Sequence, residues 1–142
     1  MINEFRHEYY FLSNYYMAPV TYDTVTYSNN EAAFQAQKVP EVDRYLFVNA
    51  TPNEAKRLGR QCKLREDWED VKIDIMKEIV TAKFEQNPDL AEKLLNTGDE
   101  YLEEGNTWGD KIWGTVNGIG ANHLGQLLME VRDKLREKDI ER

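Results

Sequence analysis

Four residues with chemically useful side chains lie at helical spacing in the first third of the chain. Their positions, at i, i+3, i+4 and i+7, place a carboxylate, a ring, an amide and an amine on one helix face: Glu31, Phe34, Gln35 and Lys38. An amine that is removed from water becomes a base or a nucleophile, because desolvation favours its neutral form. The plain alternative is a solvated helix face, since charged residues two turns apart do not form a close pair.

Local signals predict the elements that must position this face. Alternating Val, Thr and Tyr residues over 17–27 indicate a hairpin that turns near Asp23. The helix that carries the face is expected to begin at Asn30, a favoured N-cap type, and to end near Val39 because Pro40 follows. The aromatic run 9–12 is interpreted as a short strand, with a turn at Ser13 and Asn14.

Most of the remaining chain is predicted to be helical. Thr51, Pro52 and Glu54 form a helix start signal, with Thr at the N-cap, Pro at the first position and Glu at the third. Residues 65–86 are the longest periodic segment and indicate a core helix. Further helices are expected over residues 41–48, over 88–97 and from about 122 onward, with Leu124, Leu127, Leu128, Val131 and Leu135 buried. Residues 101–104 are interpreted as a strand and 105–120 as loops.

Composition restricts the class of protein. The chain has 142 residues, 31% charged and 41% hydrophobic, which favours one soluble domain over residues 1–142. No apolar run approaches the roughly 20 residues of a membrane span, and the N-terminus lacks signal-peptide character. Cys62 is the one cysteine, which excludes an internal disulfide and is compatible with a cytoplasmic location. The net charge of -8 argues against a general nucleic-acid binder.

Several other residues allow both a chemical and an ordinary interpretation. Asp110 lies between two tryptophans in the glycine-rich loop of residues 105–120, where an aspartate is either a catalytic acid or a turn former. Lys56 and Arg60 belong to the densest basic cluster, which is either a solvated helix face or a phosphate contact. The first-turn amides of the last helix, which Asn122 can cap, are also expected to suit an anion. Familiar catalytic signatures such as the P-loop and GxSxG are missing.

Taken together, eight blocks in one order resemble the YbiA-like NADAR family of N-glycosidases. The resemblance covers about residues 5–136, and its blocks are residues 11–16, 30–38, 55–60, 67–68, 82–84, 95–98, 110–114 and 120–125. Their order and spacing are specific, although no block alone is. Family members often carry Glu-His before the alanine where this chain has Glu31 followed by Ala32, so a role for that histidine does not transfer.

The resemblance implies a fold and an activity. The fold is an α+β class, a compact, predominantly helical single domain with a small N-terminal β portion, and it uses no metal or organic cofactor. The activity is hydrolysis of the bond between a nitrogen and ribose C1. One branch resembles hydrolases of early riboflavin-pathway intermediates, and another resembles enzymes that remove ADP-ribose from guanine. The partner is thus a small nucleotide-like substrate, with ADP-ribosylated nucleic acid as the alternative and no membrane.

The resemblance also implies roles for residues of this sequence. Glu31 and Asp110 are the candidate carboxylates, and Lys38 either donates a proton or attacks C1 to form a Schiff base. Aromatic side chains are expected to stack on the base or exclude water: Phe11, Phe34, Trp68 and Trp113. Ser13, Asn14 and Asn122 are expected to hold ribose hydroxyls, and Arg60 to meet phosphate. The rival function is a module that binds an ADP-ribose-like ligand without cleaving it.

Overall fold

The computed structural model describes residues 1–141, which form two compact units. The central unit comprises Asn14–Asn87, and the terminal unit joins Met1–Ser13 to the chain from Pro88 onward. The central unit contains the β portion and the helix face described above, whereas the terminal unit contains the glycine-rich loop. The expectation of a single domain over residues 1–142 stays a prediction.

The central unit begins with an antiparallel hairpin of strands β1, Met17–Tyr22, and β2, Val25–Asn29. Asp23 and Thr24 form the two-residue turn, and both have positive φ angles, of 50° and 69°. This geometry matches the right-handed twist of a hairpin, in the manner of a type I′ turn. The predicted hairpin is confirmed.

Helix α1, Asn30–Ala36, follows β2 directly and begins at the predicted residue, but its cap and its end differ from expectation. The N-cap is Asn29, whose side chain accepts a hydrogen bond from Ala32 N at 2.8 Å, so the expected cap at Asn30 was wrong by one residue. The helix also ends earlier, and Lys38 lies in the turn that follows it. The amide of Lys38 still donates to the carbonyl of Gln35 at 3.1 Å, which keeps that turn continuous with the helix.

The other helices of the central unit agree with the sequence signals. A 3₁₀ helix over Glu41–Phe47 precedes α2, Pro52–Gln61, which has the full capping box of Thr51 and Glu54. Helix α3, Trp68–Gln86, is the predicted core helix. Its buried residues include Trp68, Ile75, Met76, Ile79, Val80, Lys83 and Phe84.

The terminal unit departs from expectation at two short segments. His7–Leu12 is a 3₁₀ helix rather than a strand, because its backbone bonds are local and bury Phe11 and Leu12. The expected strand at residues 101–104 is reduced to one parallel bridge between Ile2 and Leu102. Helices α4, Pro88–Leu95, and α5, His123–Glu141, are present as predicted.

The apolar face of α5 is shorter than expected. Leu124, Leu127, Leu128 and Val131 are buried, but Leu135 is only half-buried. Over the described part of the chain, no helix combines the length and the apolarity needed to cross a membrane.

Candidate active site

Hydrogen bonds of both its backbone and its side chain hold Glu31 in place. Its backbone amide donates to the carbonyl of Asn14 at 3.1 Å, and its Oε1 accepts a hydrogen bond from Gln35 Nε2 at 2.9 Å. The residue is 7% exposed. A buried carboxylate that accepts a directed hydrogen bond is restrained in position, which a catalytic carboxylate requires.

Asn14 mainly contacts the start of α1. Its Oδ1 accepts from Asn30 Nδ2 at 3.2 Å, and its Nδ2 lies 3.4 Å from the sulfur of Met76. These contacts connect the segment before β1 to both α1 and α3. They locate Asn14 beside Glu31, and its contact with a ribose hydroxyl stays a prediction.

Lys38 lies beside the aromatic pair of the central unit. Its Nζ is 5.6 Å from the centroid of the Trp68 ring, in a cation–π arrangement. That ring also contacts Phe34, with centroids 5.0 Å apart and planes inclined at 51°. The turn after α1 therefore keeps Lys38 with Phe34 and Trp68, although the residue is not on the helix itself.

The surroundings of Lys38 favour its neutral amine. Burial lowers the pKa of the ammonium below its usual value, and the charges of Arg60 and Lys56 lower it further, whereas Glu31 and Cys62 raise it. Opposite and like charges thus surround one half-buried amine. A lysine with a lowered pKa beside a carboxylate is the arrangement that nucleophilic or acid–base chemistry needs.

The basic cluster predicted on α2 acts on the Lys38 amine only through its charges. Arg60 is exposed, and Lys56 places its Nζ 5.3 Å from the centroid of the Tyr15 ring. Both cations influence Lys38 electrostatically. A phosphate contact at this edge of α2 remains a prediction. In a chain with a net charge of -8, a local basic cluster suits such a contact.

In the terminal unit, Asp110 forms a tight loop. Its Oδ1 accepts from the amides of Ile112 at 3.0 Å and Trp113 at 2.9 Å, and its own amide donates to Asn106 Oδ1 at 3.0 Å. This is the turn-forming interpretation of the aspartate. The half-buried Trp113 ring stands edge-on to His123, with centroids 6.1 Å apart. The catalytic role of Asp110 stays a prediction.

Asn122 binds other parts of the terminal unit with every polar atom of its side chain. Its Oδ1 accepts from Glu104 N at 3.0 Å, and its Nδ2 donates to Leu102 O at 2.9 Å and approaches Tyr101 Oη at 3.4 Å. The residue is 2% exposed. Its expected contact with ribose is untested, and these bonds give it a structural role as well.

The predicted anion site at the start of α5 does not form from its first amides. The amides of His123 and Leu124 donate to the carbonyls of Ile112 and Trp113, at 3.1 and 3.0 Å. These donors are therefore occupied by the glycine-rich loop, and the expectation that they suit an anion was wrong. The sequence signal was misleading because the donors of a helix start can be met by any nearby carbonyl.

Phe11 and Ser13 lie at the N-terminal 3₁₀ helix. Phe11 is 4% exposed, lies under the Nζ of Lys93 at 5.8 Å, and lines a cavity of about 580 Å³ in the terminal unit together with Lys93 and Asn96. Ser13 ends the 3₁₀ helix by donating its amide to Tyr10 O at 2.9 Å. Their part in substrate binding stays a prediction.

The structure thus brings one subset of the predicted residues together within a unit. The central unit gathers Glu31, Phe34, Lys38, Trp68 and Arg60, with Asn14 beside them. The terminal unit contains the others: Phe11, Ser13, Asp110, Trp113 and Asn122. Sequence reasoning gave no role to Lys83, which is 1% exposed. A lysine on the buried face of α3, next to Phe84, was the signal that could have identified it.

Comparison with known proteins places these observations in a family. Residues 2–136 match the NADAR domain. An N-glycosidase of Nostoc punctiforme is 42% identical over 116 residues, which are 80% of this chain and 74% of that protein. N-glycosidase YbiA of Escherichia coli K12 is 39% identical over 129 residues, which are 87% of this chain and 79% of that protein.

A third relative is longer than this chain. A riboflavin biosynthesis protein of Vibrio vulnificus is 38% identical over 132 residues, which are 89% of this chain but only 36% of that protein. The NMR structure of the E. coli protein YbiA aligns with a TM-score of 0.85 at 35% identity, covering 100% of this chain and 90% of that one. The mostly helical fold with a two-stranded sheet is therefore confirmed, and the chain belongs to the NADAR domain family.

Proposed function

We propose that this chain is an N-glycosidase that hydrolyses the bond between a base nitrogen and ribose C1 of a nucleotide-like substrate. The observation that carries the proposal is the half-buried Lys38 amine, whose pKa is lowered by burial and which lies close enough to Glu31 for the carboxylate to affect it. Relatives named N-glycosidase support this class of reaction. A binding module would not need a restrained carboxylate next to such an amine.

The carboxylate of Glu31 matches the charge that develops during cleavage. As the bond to the base lengthens, positive charge grows at C1, and a nearby carboxylate stabilises that transition state more than the ground state. The bond's electron pair leaves with the base, whose nitrogen takes a proton from a donor. The family resemblance also makes Asp110 a candidate carboxylate, and its role stays a prediction.

The amine of Lys38 supplies the nucleophile. Its neutral form attacks C1 as the bond to the base breaks, and the proton that Nζ then loses is taken up by the ribose ring oxygen. Opening of the ribose at its ring oxygen, which is protonated, gives a protonated Schiff base between C1 and Nζ. Water adds to C1, the bond from C1 to Nζ breaks, and the amine is restored, so one water is consumed for each base released.

The substrate class that we propose first is an early riboflavin-pathway intermediate, because a relative bears the name of that pathway. The flat rings of Phe34 and Trp68 suit a heterocyclic base, and Lys56 and Arg60 suit its phosphate. ADP-ribosylated guanine remains the other substrate to compare.

The test is incubation with both substrate types and chromatography of the released base or nucleoside. We expect base release from at least one substrate, and loss of that release in the Lys38→Ala and Asp110→Asn variants at unchanged circular dichroism. Saturable binding of both substrates without any release would contradict the enzyme and identify the binding module instead.

A further inference from the structure

Gln35 occupies an unusual position between the carboxylate of Glu31 and helix α2. Its Nε2 donates to Glu31 Oε1 at 2.9 Å, while its Oε1 is turned toward Gly59. A Cβ atom on residue 59 would lie 1.9 Å from that oxygen and 2.9 Å from the amide carbon. The side chain of Gln35 can therefore adopt this position only because residue 59 is glycine.

The arrangement leaves a polar atom unsatisfied. Gln35 is 6% exposed, and among the residues that the structure describes no hydrogen-bond donor reaches its Oε1. A buried carbonyl without a partner is destabilising, and such costs are concentrated at functional sites. The cost is tolerated because the other end of the same amide, Nε2, donates to Glu31. If the amide were reversed, its oxygen would face the carboxylate instead.

We propose that Gln35 is a positioning residue, seated against Gly59, that keeps Glu31 ionised and fixes the direction of its carboxylate. This inference rests on the proposed function, because it gives Glu31 the role of the anion facing C1. A hydrogen bond donated to a carboxylate favours the charged form, so Glu31 would need lower pH to become protonated.

The elements packed against α1 carry other charged or titratable groups. Lys38 follows on the same segment, Lys56 and Arg60 come from α2, and Cys62 ends that helix. From α3 the described cation facing inward is Lys83, and Arg44 of the 41–47 helix is paired with Asp23 of the hairpin turn. Gln35 donates a hydrogen bond to Glu31 and also packs against Gly59 of the neighbouring helix α2.

The first test measures protonation rather than catalysis. NMR of carboxyl-labelled glutamate gives the titration midpoint of Glu31 in the wild type and in the Gln35→Met variant. We expect the midpoint to rise by about one pH unit in the variant, because the hydrogen bond from Gln35 Nε2 favours the ionised carboxylate. The matched control is Gln37→Met, which removes an equally buried amide that instead donates to Ala33 O, and it should leave the midpoint unchanged.

Two further measurements keep the inference testable if Gln35→Met fails to fold. In the wild type, the side-chain amide resonance of Gln35 should titrate together with the Glu31 carboxyl. Gly59→Ala should raise the midpoint as Gln35→Met does, because the added methyl group must displace the amide. An amide resonance that is independent of Glu31, or equal midpoints in wild type and variant, overturns the inference whether or not the protein is an enzyme.

Kinetic measurements distinguish a positioning role of Gln35 from an effect on folding. With a cleaved substrate, Gln35→Met should move the acid limb of the kcat/KM profile upward by about one pH unit and lower kcat about tenfold with little change in KM. Gln37→Met should change stability alone. Absence of base release by the wild type would refute the proposed function while leaving the titration result intact.

Discussion

Lys38 and Lys83 are two amines of the central unit that are removed from water, and their surroundings differ. Lys38 is half-buried and has Glu31, Arg60, Lys56 and the Trp68 ring around it. Lys83 is 1% exposed, with its Nζ 5.6 and 5.2 Å from the centroids of the Tyr16 and Phe84 rings. Burial lowers the pKa of Lys83 to about 7.

The comparison teaches that a lowered pKa does not by itself identify a reactive lysine. A nucleophile also needs access to the substrate and a group that stabilises the charge formed opposite it. Lys38 has both a partly exposed amine and the restrained carboxylate of Glu31. Lys83 has the more strongly perturbed amine but lies inside the apolar face of α3, so we expect it to affect stability rather than chemistry.

The largest expected effect is the loss of catalysis in Lys38→Ala. Removing a covalent nucleophile should lower kcat by about a thousandfold or more while the unfolding midpoint changes little. Borohydride reduction during turnover should leave a sugar on Lys38, located by mass spectrometry of peptides. The control is Lys63→Ala, an exposed lysine just after α2, which should react and trap normally. A sugar found on Lys83 would reverse the comparison.

The second prediction concerns the pH dependence of stability. The pKa of Lys83 is about 7 in the folded protein, against the ordinary lysine value of 10.5 in the unfolded chain. Between these pH values the unfolded chain therefore binds a proton that the folded chain does not. Stability should rise with pH across this window, by about 2–3 kcal/mol from pH 7 to pH 9. Well below pH 7 both states are protonated and this contribution no longer changes.

The measurement is urea unfolding of wild type and Lys83→Met at several pH values. Methionine keeps most of the apolar volume and removes the charge. The free energy of unfolding of Lys83→Met should therefore exceed that of the wild type most at pH 7, and the difference should shrink as pH rises. Lys63→Met should show no such trend, since that side chain is exposed. A stability difference that is constant from pH 7 to pH 9 would show that Lys83 is charged in the folded protein.

The smallest expected effect is that of Arg60→Ala on the Lys38 amine. Arg60 lowers the pKa of Lys38, so its removal should raise that pKa and reduce the neutral fraction of the amine at neutral pH. Because the guanidinium is exposed, screening limits the shift to about a few tenths of a pH unit. The pH profile of kcat/KM at two salt concentrations measures it. If Arg60 also binds phosphate, KM should rise severalfold for phosphorylated substrate alone.

The sequence predicted much of the fold because its signals were local. The capping box of Thr51 and Glu54 and the period of residues 65–86 depend on neighbours within one or two turns, and both gave the observed helices. Errors occurred where burial of side chains overrode a local preference. The run at residues 9–12 favours a strand by residue type, yet it became a 3₁₀ helix that buries Phe11 and Leu12.

The candidate site was predicted in part for the same reason. The i, i+4 pair of Glu31 and Gln35 follows from helix spacing, and the structure shows its hydrogen bond. The meeting of Lys38 with Trp68 and the fit of Gln35 against Gly59 join residues 30 and 24 positions apart, respectively. No local rule predicts such contacts, because they depend on how α1 packs on α2 and α3.

By itself, then, the sequence determined the helix starts, the hairpin, the face that carries Glu31 and Gln35, and the family. The tertiary structure alone decided which amines lose water, where α1 stops, and which polar atoms of Asp110 and Asn122 are occupied by backbone. The physical reason is that hydrogen-bond spacing and backbone preference act between near neighbours. Desolvation depends on segments distant in sequence that close over a side chain, and it is desolvation that sets the chemistry of Lys38 and Lys83.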